Sequence, residues 1–237
     1  MITNYIAEGW EIITQRSHAM LAAQICAHWK ISDQPSRWVE TLVAVAEHDD
    51  VFNEFERGPL VNSIGGPVDF KTTSFDLEAS KKLMDMALSK SSYVALLTAK
   101  HIEFTHGKEP KAAKFISGLK QQMKIWIKCA AVEEKELADA YELLEFCDAF
   151  SLLICQDFIP PEKRSLEISS GPGKKAYSLT GTAEKLIVSP WPFEVGSFMV
   201  NYESRILTAL TFSSDAAFRK KLLRVPAIQK TVKLSAG

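Results

Sequence analysis

With 237 residues and a formal net charge of −1, the chain is long enough to bury a core of its own without disulfide or metal staples. Apolar residues make up 46% and charged residues 24%, a balance that excludes a disordered or fibrous chain. The near-neutral charge and the lack of a basic stripe interleaved with aromatics exclude nucleic acid as the expected partner.

The first residues, Met1 to Glu11, carry acids where a signal peptide has a basic head and an apolar centre. No apolar run approaches the ~20 residues that a membrane-spanning helix needs. The four cysteines (Cys26, Cys129, Cys147, Cys155) form no CxxC pair and suit reduced thiols. A cytoplasmic protein with a small-molecule substrate and no membrane partner is expected.

Residues 2–13 alternate short apolar runs around Gly9, the pattern of a strand or hairpin leading into a first helix. Thr14 is a candidate N-cap for a helix from Gln15 to Lys30, with Ala19, Leu21, Ala22, Ile25, Cys26 and Trp29 at helical spacing. A second helix runs from Arg37 to about Glu47. Residues 51–74, rich in Gly and Pro, read as a long loop whose aromatics (Phe52, Phe55, Phe70) suit an ordered lid. Further helices are predicted from Ser74–Asp76 to Ser89, Ser92 to Phe104, Lys111 to Ala130 and Glu133 to Phe158. After Ile159-Pro-Pro-Glu162 the period becomes alternating. Short strands are predicted near Ala176–Leu179, Lys185–Ser189, Phe198–Asn201, Arg205–Leu210 and Ile228–Leu234, with a helix near Asp215–Leu223. The expected fold class is mainly α: a bundle of about six helices over residues 1–160, with a small antiparallel α+β appendage over residues 161–237 packed on it. The appendage either covers a site or forms a homodimer interface.

Within this pattern, ionisable residues fall among apolar neighbours at four places. They are His18 on the first helix, His48-Asp49 closing the second, His101 on the fourth and Asp148 on the sixth. Burying one unpaired imidazole or carboxylate is costly, and a shared cation relieves all of them together. Nitrogen and oxygen donors without sulfur suit one or two divalent ions from Mn, Fe, Co, Ni, Zn and Mg. Asp50 and Glu54, just after the pair, are candidate general bases. Gln15, one turn before His18, Lys100, beside His101, and Phe52 are candidate substrate-binding residues. Trp10 and Pro190-Trp-Pro-Phe193 read either as an apolar wall of the pocket or as core.

The order His18, His48-Asp49, Asp148 over a helical body resembles the HD-domain metal-dependent phosphohydrolases, across residues 14–158. That resemblance implies an HD-like bundle in which these four residues hold the metal. His101 matches the added histidine of two-metal members. It implies a phosphohydrolase acting on a small phosphoester or nucleotide through a metal-activated water. The alternatives are a di-iron oxygenase-type metalloenzyme on the same scaffold and a non-catalytic ligand-binding protein. The acid that nucleotidase-type members carry shortly after the pair lacks its usual spacing here.

End to end, the chain is similar to an uncharacterised bacterial family, a domain of unknown function. The shared stretches are Thr14-Gln-Arg-Ser-His-Ala-Met-Leu-Ala22, Glu47–Asp50, Leu96–His101, Asp148-Ala-Phe-Ser-Leu152 and Pro190–Phe193. The Gly-Trp that usually follows Glu-His-Asp-Asp is Val51-Phe52 here.

Overall fold

A computed structural model describes residues 1–159, 164–182 and 185–237. The expected boundary at 160/161 lies outside the described residues. The N-terminal hairpin consists of β1 (Ile2–Ile6) and β2 (Gly9–Ile13). Six long helices follow: α1 (Gln15–Ala27), α2 (Trp38–Glu47), α3 (Leu77–Leu88), α4 (Ser92–His106), α5 (Ala113–Ala130) and α6 (Glu134–Cys155). Then come β3 (Ser165–Gly171), β4 (Lys175–Gly181), β5 (Leu186–Ser189), β6 (Ser197–Leu207), α7 (Asp215–Arg224) and β7 (Ile228–Ser235).

Four of the helices begin at a side-chain cap. The Thr14 side chain accepts from the Ser17 backbone N–H, and Asp76, Ser91 and Ser214 cap α3, α4 and α7 in the same way. α4 is buried continuously from Tyr93 to Ala99, as a helix must be when neighbours enclose it on every side. Leu96 and Leu97 are fully buried, and each contributes about 1.5–3 kcal/mol through the area it removes from water. α2, α3, α5 and α6 pack around α4, and α1 packs on α2 and α6.

The mainly α description is overturned by the sheet. The described residues are 48% helical and 22% strand, an α+β fold in which a seven-stranded sheet curls into a half-barrel. Its order is β1-β2-β6-β7-β5-β4-β3. The N-terminal hairpin belongs to it, because β2 pairs with β6 from Trp10↔Leu207 to Ile12↔Arg205. Nor is the sheet wholly antiparallel: β5 and β7 run parallel at Leu186↔Leu234 and Ile187↔Ser235. Where two strands were expected over 198–210, β6 is continuous, and β3 adds a strand that was not expected.

The sheet is fastened to the helices by polar groups. Gln24 on α1 donates to the Asn201 carbonyl (2.7 Å) and accepts from the Asn201 N–H (2.9 Å). Ser17 makes the same double contact with the Glu203 backbone at 3.0 and 3.1 Å. On α6, Glu145 accepts from Ser169 of β3. Apolar side chains of both layers, from Leu96 and Phe150 to Leu179 and Val200, form one core.

A smaller core gathers Ile12, Leu60, Leu207, Phe212, Phe218 and Leu222, with Phe55 and Trp10 against it. The long loop is pinned here, since Asp215 accepts from the Leu60 and Val61 N–H groups at 2.9 Å each. Phe193 is fully buried against Trp29 and Phe198 with Pro192 buried beside it, while Trp191 is half-buried and Pro190 exposed, so the Pro192-Phe193 end of the segment is core. Cys26, Cys147 and Cys155 are buried and Cys129 is exposed, all as free thiols. No helix among the described residues is long and apolar enough to cross a membrane.

Candidate metal centre

The five His and Asp residues come together from four helices. His18 is the fourth residue of α1, His48 is the C-cap of α2 and keeps helical φ/ψ, and Asp49 follows in the turn beyond it. His101 projects from the buried face of α4 and Asp148 from α6. They form two trios, His18/His48/Asp49 and His48/His101/Asp148, in each of which one donor atom per residue lies within 4.8 Å of the others. The histidines are at most 7% exposed, while Asp49 and Asp148 retain 15% and 13%, so solvent reaches the cluster on its carboxylate side.

Hydrogen bonds settle which nitrogen of two histidines faces inward. His48 Nδ1 lies 2.7 Å from the Val45 carbonyl, which only accepts, so Nδ1 carries the proton and donates. His18 Nδ1 lies 2.7 Å from Ser151 Oγ. The Ser151 hydroxyl donates its proton to the Asp148 carbonyl at 2.8 Å, and therefore Oγ accepts from His18. In a neutral imidazole the other nitrogen is then a bare lone pair. The two Nε2 atoms face each other 3.2 Å apart. Two lone pairs at that distance repel unless something positive lies between or beside them.

The carboxylates complete the frame. His18 Nε2 is 3.3 Å from Asp49 Oδ2 and 3.6 Å from Asp148 Oδ1. His48 Nε2 is 3.8 and 3.3 Å from the same atoms. An ion with bonds near 2.1 Å places neighbouring donors roughly 3.0 Å apart in an octahedron and roughly 3.4 Å apart in a tetrahedron. The observed spacing matches that scale.

The electrostatics show the same demand for positive charge. Burial disfavours a charged His48, yet Asp49 and Asp148 overcome it and raise its pKa to about 9. Burial likewise opposes ionisation of Asp49 and Asp148, yet His48 and the other histidines hold both carboxyls below their ordinary range. His101 goes the other way: burial, reinforced by His48, pushes it down to about 4. Without an ion, a proton on His48 supplies the missing charge.

The remaining predicted residues are placed as follows. Gln15 donates through Nε2 to Asp49 Oδ2 at 2.7 Å and so orients that carboxylate, while its Oε1 is buried without a partner. Glu54 is buried and accepts from the Gln15 backbone N–H at 3.0 Å, with the Met1 nitrogen 3.1 Å away. Asp50 is paired with Arg16 at 2.9 Å and stands outside the two trios. The two candidate general bases are thus engaged elsewhere, Glu54 one residue removed from the cluster through Gln15. Lys100 Nζ lies 5.9 Å from the centre of the Tyr141 ring. Phe52 is 39% exposed, and its backbone N–H donates to the Asp49 carbonyl.

Two residues escaped the sequence analysis as functional candidates, because on α6 they count only as members of a helical face. Ser151 sits three residues after Asp148, on the same side of the helix, and fixes His18. A fully buried hydroxyl one turn from a proposed ligand was the available signal. Tyr141 packs beside His101, with ring centres 6.4 Å apart, and its hydroxyl is buried without a partner.

Comparison with known proteins gives one match. The model of a family described as a protein of unknown function, DUF3891, covers residues 1–209. No curated protein and no solved structure matches the chain. None of these comparisons shows similarity to the HD-domain phosphohydrolases. By a match that spans both the helices and most of the sheet, the chain belongs to the DUF3891 family.

Proposed function

We propose that this protein is a metal-dependent phosphohydrolase acting on a small phosphoester or nucleotide. The observation that carries the metal is the convergence of His18 Nε2 and His48 Nε2, 3.2 Å apart, on Asp49 Oδ2 and Asp148 Oδ1 at 3.3 to 3.8 Å. His18, His48, Asp49 and Asp148 would hold the ion. Both trios share His48, whose single inward lone pair serves one ion, so one ion is favoured over two. Oxygen and nitrogen donors suit Mn, Fe, Co, Ni, Zn or Mg.

When bound, such an ion supplies Lewis acidity towards a phosphoryl oxygen and a lowered pKa for water. The protein's own residues provide the rest. Ser151 and the Val45 carbonyl keep two imidazoles in the metal-binding tautomer, and Gln15 keeps Asp49 turned inward. Burial of the histidines keeps water from their side of the cluster, which strengthens the charge interactions there, while the carboxylate side stays open to solvent. The ordered resemblance to HD-domain enzymes, together with Lys100 beside His101, supports a phosphoryl substrate.

The test is metal analysis of purified protein, followed by hydrolysis assays with added Mn on bis(p-nitrophenyl) phosphate, p-nitrophenyl phosphate and nucleoside monophosphates. About one equivalent of metal, a melting temperature raised by Mn, and Mn-dependent release of product are expected. Protein that carries no metal and is not stabilised by Mn or Fe would refute the proposal.

A further inference from the structure

The histidines of the cluster are not equivalent. Metal-ligating histidines nearly always donate their second ring nitrogen to a fixed partner, which sets tautomer and orientation. His18 has Ser151 and His48 has the Val45 carbonyl. His101 is 7% exposed, and its Nδ1 is buried with no hydrogen-bond partner. Its ring stands edge-on to His48, with centres 5.0 Å apart. On its other side is Tyr141, whose hydroxyl is also buried and unpartnered. Two unsatisfied buried polar atoms beside one cluster are costly unless a ligand satisfies them.

The charges around this pair are mixed, and a cation in the frame of Asp49 and Asp148, with Lys100 nearby, offsets the carboxylates. Lys100 is adjacent to His101 in the chain and approaches the Tyr141 ring. Three carboxylates near the Tyr141 phenol oppose an anion, and each has a partner that offsets part of its effect. Asp148 belongs to the ion's frame, Glu145 accepts from Ser169, and Glu103 is paired with Lys120 at 2.7 Å. Burial, with Glu145, Asp148 and Glu103 nearby, pushes the Tyr141 phenol up, which favours its neutral, hydrogen-donating form.

We propose that His101 and Tyr141 serve the substrate rather than the metal. Together they form a two-point seat on α4 and α6 that hydrogen-bonds the non-bridging oxygens of a phosphoryl group, with Lys100 supplying the counter-charge. This assignment rests on the metal-dependent reading above and deepens it. It removes His101 from the ligand set and makes Tyr141 a substrate-positioning residue.

The experiment compares the full-length protein with His101→Ala, Tyr141→Phe and His18→Ala. Each is loaded with Mn, measured for metal by mass spectrometry and titrated with inorganic phosphate by calorimetry. Wild type, His101→Ala and Tyr141→Phe should hold the same equivalents of Mn, while His18→Ala loses it. Phosphate should bind roughly 10-fold or more weakly to Tyr141→Phe, the loss expected for one hydrogen bond to a charged group. His101→Ala should show a loss of similar size. Loss of Mn from His101→Ala would return His101 to the ligand set and overturn the proposal. So would unchanged phosphate affinity in Tyr141→Phe, a variant that keeps the ring and its packing. Mn-loaded wild type that binds no phosphate also overturns it. Wild type that takes up no Mn would instead bring down the metal-dependent reading, and this assignment with it.

Discussion

Two buried polar clusters in this molecule look alike in composition and differ in what they need. In the sheet, Glu11 of β2 accepts from Ser204 of β6 and Lys230 of β7 at 2.9 Å each, and from Asn4 of β1 at 3.2 Å. Asn4 also donates to the Cys155 carbonyl at the end of α6 (2.8 Å). Each acceptor has a donor and the carboxylate has its cation, so the network is complete within the protein. In the helical layer, His18 and His48 turn Nε2 atoms towards each other and towards two carboxylates, and neither neutral imidazole brings a donor there until a proton or an ion is added. Burial of polar groups does not distinguish structure from site; the balance of donors and acceptors does. The first cluster holds four strands and a helix together, and the second is finished only by something that is not the chain.

The sharpest way to break this contrast is to delete a member of each cluster and measure the same two quantities. His48→Ala and Asp49→Ala should abolish Mn uptake while leaving far-ultraviolet dichroism and cooperative unfolding intact, because the metal-free cluster is not what holds the helices. Full metal occupancy in both variants would show the ligand set to be wrong. A smaller effect is expected from Ser151→Ala, which removes only the partner of His18 Nδ1. Loss of such an orienting group weakens metal binding about 10–100-fold. An unchanged Mn affinity would mean that the tautomer of His18 is set by something else. Glu11→Gln should act in the opposite sense. Metal binding stays as in wild type, but the amide places a donor against Ser204 and Lys230, and unfolding becomes about 1–3 kcal/mol easier in a urea titration.

These two clusters also explain what was legible in the sequence. The helices were read to within a few residues because caps such as Thr14 and Ser91 and the apolar stripes lie within single windows of the chain. The five His and Asp residues stood out because they interrupt those stripes. The sheet was misjudged because its key pairing joins Trp10 to Leu207, and such a register has no local signal. β6 was divided in two for a related reason. Asn201, Glu203 and Ser204 break the alternation of apolar residues, yet they are the positions that Gln24, Ser17 and Glu11 bind. Asp50 and Glu54 were proposed as bases from adjacency alone. Adjacency does not say which side of the turn a carboxylate takes: Arg16 holds one and the Gln15 backbone the other.

The smallest predicted effect is a pH dependence that belongs to the sheet cluster. Burial tends to raise the Glu11 pKa, but Lys230, Asn4 and Ser204 together lower it below the ordinary glutamate value of 4.5. A carboxyl whose folded pKa lies below its unfolded pKa contributes stability that is fully present above the unfolded value. That contribution fades as pH falls through 4.5 and is gone once the folded form is also protonated. Wild-type stability should therefore decline on acidification below about pH 4.5, and the decline should be shallower in Glu11→Gln, which has no proton to gain at that site. Urea midpoints measured from pH 6 to 3 on both proteins, without metal, read out the difference. Parallel curves would mean that the Glu11 network holds the carboxylate no better than water does, and the comparison with the histidine cluster would lose its structural half.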